Sequence, residues 1–373
     1  MILKSVREIE DFVRGLTFFG TGGGGDYSSG VSTLSDLLNK GIEIGWVDIS
    51  EIDDNDYTIC PFLMGSIAPL TEETLNEMKI FGLENPMYDY KDTLSRAVKN
   101  LEERTGTKAK ALVPIELGGA NAAACIAASA INGIVTVDGD YTGRAIPEIQ
   151  QTTPFIFEKN LMPITTCDAW GNLCCIDEAI NWRMAERIGK LISAAAYSAC
   201  GEAGFLMTGK DTKEILVKGT MTESYEIGKK IREEREAGND PINAITDHLK
   251  GWVICRGKVT DKDWWDKVGY YWGTHTITGE GNFEGSKVKI WFKNENHIAW
   301  KDDKIIATSP DMIIVVNNKT GEPFTNNKIE VGQEVAVIGL KARDVFRLPR
   351  GIETLGPRAF GFDVDYTPIE ELI

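Results

Sequence analysis

Glu116, Asp138, Asp140, Arg144 and Glu148 fall in one short span of a 373-residue chain, interleaved with Gly118, Gly119 and Gly139. Carboxylates and a guanidinium beside glycines, whose bare backbone lets a ligand approach N–H groups closely, make up a pocket for a polar ligand. A second such stretch is Gly20-Thr21-Gly22-Gly23-Gly24-Gly25-Asp26. Four consecutive glycines can form an anion-accepting concavity, and ordering them costs backbone entropy, which argues for a use. Farther along, Asn294-Glu295-Asn296-His297, Ser309-Pro310-Asp311 and the run 356–363 with Arg358 gather polar groups in a β-rich region. Plain structural roles compete at each place. Asp and Gly are ordinary turn formers after strands, 294–297 suits an exposed hairpin, and Asp311 follows Pro310 as turn residues do.

The elements that must hold the first cluster are read from periodicity. An apolar run (111–115) ends in Glu116, a small-residue helix starts at Asn121 (121–131), and a second apolar run (134–137) ends in Asp138. A βαβ unit this short implies parallel strands joined by a right-handed crossover. Ligands of open parallel sheets sit beyond the carboxyl ends of the strands, where these acids and glycines emerge. The glycine run matches G-x-G-x-x-G, and Asp48 follows about twenty residues later as a dinucleotide fold requires. Residues 5–16, however, are periodic as a capped helix, and the fingerprint needs a strand there. No Lys-Ser/Thr pair follows either, so no nucleotide cofactor is expected.

Helices and strands alternate through residues 1–170, the pattern of an α/β domain with a mostly parallel sheet. Residues 171–373 read as a second domain: helices over 177–250, short strands of a small antiparallel sheet or barrel over 251–343, and a closing segment over 344–373 that folds back on the first domain. The alanine-rich stretch 177–200 reads as helix, with Gly189 marking close packing.

Composition narrows the classes. Hydrophobic residues make up 42% and charged residues 26%, as in ordinary globular proteins. The net charge of −16 argues against nucleic-acid or anionic-membrane binding. No apolar run is long enough to span a bilayer, and the first residues do not resemble a signal peptide. Seven scattered cysteines form no disulfide framework, and a cytoplasmic location is the expectation. The Cys167, Cys174 and Cys175 spacing fits no common zinc pattern. The small-residue helices suit packing within a subunit or between two, and a homo-oligomer is expected.

The motifs GTGGGGD (20–26), PIELGGAN (114–121), VDGDYTGRAIPEIQ (137–150), NEN (294–296), PD (310–311) and GPRAFGFD (356–363) together resemble the DUF917 family. That family is associated with S-methyl thiohydantoin desulfurase and accompanies hydantoinase/oxoprolinase enzymes. The resemblance covers nearly the whole chain. It departs at Tyr27-Ser28-Ser29, where Pro-Tyr is usual, at His297, where an aliphatic residue is common, and at Gln150-Gln151. It implies hydrolysis at C2 of a five-membered thiohydantoin ring, releasing methanethiol. Such chemistry needs a general base, donors for developing charge, and a proton source or metal for the leaving group. Glu116, Asp138 and Asp140 are the candidate bases or ligands of a divalent metal. Arg144 and the amides of Gly22 to Gly25 are the anion stabilisers, with Glu148 orienting Arg144. Asp26, Gly118, Gly119, Asn121, Asn294, Glu295, Asp311 and Arg358 are the remaining candidates for holding a hydantoin-like substrate. A non-catalytic subunit of a hydantoinase/oxoprolinase system is the alternative.

Overall fold

The computed structural model describes residues 1–66 and 68–373. Ser5 accepts the Glu8 N–H (3.2 Å) and starts the helix Val6–Phe19, whose Ile9, Phe12, Val13 and Leu16 are buried. This helix lies against the helix Thr220–Glu236 with almost no gap. A Cβ on Gly15 would stand 1.7 Å from Ser224 O, and one on Gly228 would stand 1.7 Å from Asp11 O. Glycines at the crossing let the two backbones meet, so the later half of the chain shares the core of the earlier half.

Two sheets carry the architecture. The first has six strands in the order Val135–Thr136, Ala111–Leu112, Tyr57–Met64, Cys200–Thr208, Ile164–Cys167, Leu173–Ile176. The first three are parallel, joined through the helices Tyr90–Thr105 and Asn121–Asn132, and the remaining pairings are antiparallel. The second sheet has seven antiparallel strands in the order Lys304–Thr308, Glu295–Lys301, Lys287–Lys293, Tyr270–Gly279, Trp252–Lys267, Glu334–Leu340, Met312–Asn317. It curls until its edge strands Lys304–Thr308 and Met312–Asn317 contact each other, as a half-barrel does. The α/β part and the antiparallel β part are those expected from the periodicity.

Two strands depart from that expectation. Cys200–Thr208 stands at the centre of the first sheet, although 177–250 reads as helical. Within 177–200 the helix is confined to Trp182–Ala195, and helices resume only after the strand, at Gly209–Ile215, Thr220–Glu236 and Pro241–Leu249. The small residues that suggest helix are there because Tyr90–Thr105 lies directly on the strand: a Cβ on Gly201 would come within 2.6 Å of Thr93. The first sheet therefore extends past residue 170. Glu295–Lys301 is likewise a strand, and Asn294, in the left-handed region at φ 58°, turns the corner into it. Residues 294–297 are not an exposed hairpin, since every one of them is buried.

Candidate functional site

A cavity of about 320 Å³ opens beyond the carboxyl end of the strand Tyr57–Met64, where both sheets meet. The glycine loop, the segment after Ala111–Leu112, the helix Trp182–Ala195 and the corner at Asn294 close around it. It brings together Gly24, Gly25, Asp26, Glu116, Asn121, Glu148, Asn294 and Glu295 from the sequence candidates. Its charged lining comprises five carboxyl side chains and, among the described residues, one cation, Lys190.

Glu116 and Glu295 are, with Glu186, the buried acids of this cavity, and the surroundings of these two differ. Glu116 Oε1 accepts the Asn121 Nδ2–H (2.8 Å) and Oε2 accepts the Ile146 N–H (2.8 Å). Burial still lifts its pKa to about 7, with those two bonds opposing the rise. Glu295 lies against the glycine loop, and its Oε2 is buried with no partner. Burial first, and then the neighbouring Glu116, push its pKa well above the usual carboxyl range. Of the two, Glu116 is the member that gives up its proton first and Glu295 the one that keeps it.

The glycine runs pack backbone to backbone. A Cβ on Gly24 would stand 2.5 Å from Gly118 Cα, and Gly24 O accepts the N–H groups of Ala120 (3.2 Å) and Asn121 (3.1 Å). A Cβ on Gly23 would fall 1.8 Å from Glu295 Oε1, so only glycine leaves room for that carboxyl. Gly22 O accepts the Asn326 N–H (2.8 Å), and Asn326 Nδ2 donates to Asn294 O (2.8 Å), tying the loop to the Asn294 corner. The N–H groups of Gly24 and Gly25 donate to no acceptor among the described residues, and both residues line the cavity. Gly22, Gly23, Gly118 and Gly119 shape the wall from behind.

The other candidates lie outside the cavity and have structural partners. Asp138 accepts from Met221 N (3.1 Å), Thr222 N (3.0 Å) and Thr222 Oγ1 (2.5 Å), capping the helix Thr220–Glu236. Asp140, fully buried and raised to about 6 by burial, accepts from Thr142 N and Oγ1, Gly143 N and Thr220 Oγ1. Arg144 is buried behind the cavity. It donates to Thr21 Oγ1 (3.0 Å), Ala145 O (3.0 Å), Asn296 O (3.1 Å), Pro310 O (3.1 Å) and Asp311 O (3.3 Å). It thus clamps the glycine loop to the Glu295 strand, and burial lowers its pKa to about 10. Glu148 does not orient it, since Glu148 pairs with Lys293 and Gln150. Asp311 gathers Ala342 N (2.7 Å), Arg347 (2.6 Å), Tyr366 Oη (3.0 Å) and Ile369 N (2.8 Å), anchoring the closing segment. Arg358 is exposed and pairs with Asp363 and Asp365. The departure at His297 is also structural: its imidazole lies against the Phe360 ring at 3.9 Å with Nδ1 3.2 Å from Ser309 Oγ, and burial holds it neutral.

Glu186 and Lys190 line the cavity and were not singled out in the sequence. Glu186 accepts from Ile149 N (2.9 Å) and Tyr270 Oη (2.9 Å), and Lys190 donates to Gly65 O (3.0 Å) with its ammonium over the Tyr270 ring (4.4 Å). The usable signal was a charged i, i+4 pair beside Gly189, because both charges face inward with the glycine. Behind them sits Glu202, fully buried with neither oxygen partnered and raised to about 8 by burial. Among the described residues, no three His, Cys, Asp or Glu side chains converge as metal ligands do. Both Glu116 oxygens accept N–H donors, Asn121 Nδ2–H and Ile146 N–H.

Two family models match nearly the whole chain: "S-Me-THD-like, N-terminal domain" over residues 7–178 and "S-Me-THD-like, C-terminal domain" over residues 180–369. A solved structure of a protein from Chromobacterium violaceum shares the fold, with a TM-score of 0.78 at 18% identity over 99% of this chain and 100% of that one. No curated protein matches. No helix among the described residues is long and apolar enough to cross a membrane.

Proposed function

The chain belongs to the S-Me-THD-like family, and from that premise we propose that it hydrolyses an S-methyl thiohydantoin-type ring in the Glu116–Glu295 cavity. One observation carries the reading: two buried carboxyls of opposite hydrogen-bonding state share a cavity with unpaired glycine amides. Glu116, held as a carboxylate by two N–H donors, takes a proton from water as its oxygen bonds to C2. Charge developing on the ring is met by the Gly24 and Gly25 amides, fixed in place by their packing on Gly118 and Ala120. Glu295, the neutral member, gives its proton to sulfur as the C2–S bond breaks. Methanethiol leaves, the ring carries oxygen at C2, and the pair ends with its one proton on Glu116. Every proton in the scheme moves between these two carboxyls, water and the ring.

Arg144 is a positioning residue in this scheme: it holds Thr21 and Asn296 and so sets Glu295 against the glycine loop. Asp138, Asp140, Asp311 and Arg358 take no part in the chemistry. The hydantoin product is the substrate class of ring-opening hydantoinase-type enzymes, which makes such an enzyme the partner in sequence. The test is methanethiol release from an S-methyl thiohydantoin, followed with a thiol reagent, by the wild type and Glu295→Gln. The amide keeps the shape and has no proton to give, so kcat is expected to fall at least about a hundredfold. Equal release by both proteins removes Glu295 from the mechanism, and no release by the wild type removes the reaction.

A further inference from the structure

Outside the Glu116–Glu295 cavity lies a second chamber of about 1140 Å³. Ser29, Ser66, Ala68, Tyr90 and Ala199 border both spaces, so the two form one recess, narrow within and wide without. Their walls differ in chemistry. The inner wall is crowded with carboxyls; the outer wall includes Tyr88, Trp170, Tyr197, Leu75, Met78 and Leu83 among charged residues of both signs.

Two of those rings are fixed before any ligand arrives. The Trp170 indole N–H donates to Ala196 O (2.8 Å), and the Arg96 guanidinium stacks on Tyr88 at 4.5 Å. Leu75 and Met78 stand three residues apart on the helix Glu72–Ile80, hence on one face. That helix buries none of its residues, and Leu75 keeps 43% of its surface exposed. Its apolar side borders the chamber. Of the charged residues that line the chamber, Lys91 pairs with both Asp36 (3.6 Å) and Asp89, and Lys79 and Glu84 border it as well.

Resting on the proposed ring hydrolysis, we infer that the substrate ring carries a bulky apolar or aromatic substituent, which fills this outer chamber while the ring sits between Glu116 and Glu295. The inner cavity lies at the lower end of the range of about 300–1,000 Å³ typical of ligand pockets. It takes a small ring, and any larger group on that ring must extend through the shared opening. Fixed rings and an aliphatic helix side lining one chamber suit a benzyl or similar group, whose burial supplies binding without a charge.

The experiment compares a benzyl-bearing S-methyl thiohydantoin with the unsubstituted ring, using the wild type, Leu75→Glu and Met78→Glu. Both positions are on a helix with no buried residue, and glutamate is a good helix former, so the fold is kept. The wild type is expected to prefer the benzyl compound at least about tenfold in kcat/KM, and each variant to lose most of that preference. Equal kcat/KM for both compounds, or variants that keep the preference, overturns the chamber assignment and leaves ring hydrolysis standing. If neither compound releases methanethiol, the hydrolysis reading fails, and calorimetry with benzyl hydantoin and plain hydantoin decides the chamber. Tighter benzyl binding that Met78→Glu weakens supports it; equal or absent binding overturns it.

Discussion

Replacing Glu116 with glutamine probes the base through two independent readouts. In the folded protein the carboxyl titrates at about 7 instead of its ordinary 4.5, because burial disfavours the charged form. That difference corresponds to about 3 kcal/mol at roughly 1.4 kcal/mol per pKa unit. The unfolded chain releases this proton first, so stability falls as pH rises from 4.5 to about 7 and the loss is complete above it. Glu116→Gln has no such proton and lacks this slope. It has its own penalty, because its amide group must face either Asn121 Nδ2 or the Ile146 N–H, both donors. One unmet donor costs about 1–3 kcal/mol. The variant should therefore be the less stable protein at acid pH and approach the wild type in the alkaline range, as read by denaturant melts across pH. In the methanethiol assay, wild-type kcat/KM should rise with a midpoint near 7, the base being the form without its proton. The variant should lose about 10²–10⁴-fold in kcat. Retained turnover in Glu116→Gln, or a wild-type profile with no such midpoint, refutes the assignment of the base.

Two further substitutions separate site from scaffold. Gly23→Ala places a methyl group 1.8 Å from Glu295 Oε1 and must displace the carboxyl, so activity should fall about a hundredfold or more while the protein still folds, checked by kcat and circular dichroism. Asp138→Asn keeps one acceptor and turns a donor toward the N-terminus of Thr220–Glu236, so a stability loss of about 1 kcal/mol is expected in denaturant melts, with kcat unchanged.

Much of this arrangement was legible in the sequence. The apolar runs and small-residue helix that deliver Glu116 gave the βαβ unit, and the glycine run gave the loop that meets it. The resemblance to the family likewise extends over the whole chain. What sequence reading could not resolve was which acids face inward. Asp138 and Asp140 emerge from the same strand end as a ligand site would use, yet helix Thr220–Glu236 arrives from about eighty residues away and takes their oxygens. Long-range capping of this kind leaves no local trace. The stretch 177–200 reads as helix to its end because small residues satisfy helix propensity and close packing alike, and the strand that starts at Cys200 is marked only by its close approach to Thr93. Glu295 looks like hairpin chemistry because its polar neighbours hide a buried corner. Arg144, read as an anion stabiliser, spends its donors on backbone carbonyls and one hydroxyl.

Glu116 and Glu295 must act from two sides of one bound ring for the proposed hydrolysis to run. A crystal structure of the protein soaked with the hydantoin product measures this directly. The ring should lie between the two carboxyls, its C2 oxygen within hydrogen-bonding distance of Glu295 Oε2 and its edge against the Gly24 and Gly25 amides. A ring bound elsewhere, or one that contacts neither carboxyl, contradicts the mechanism.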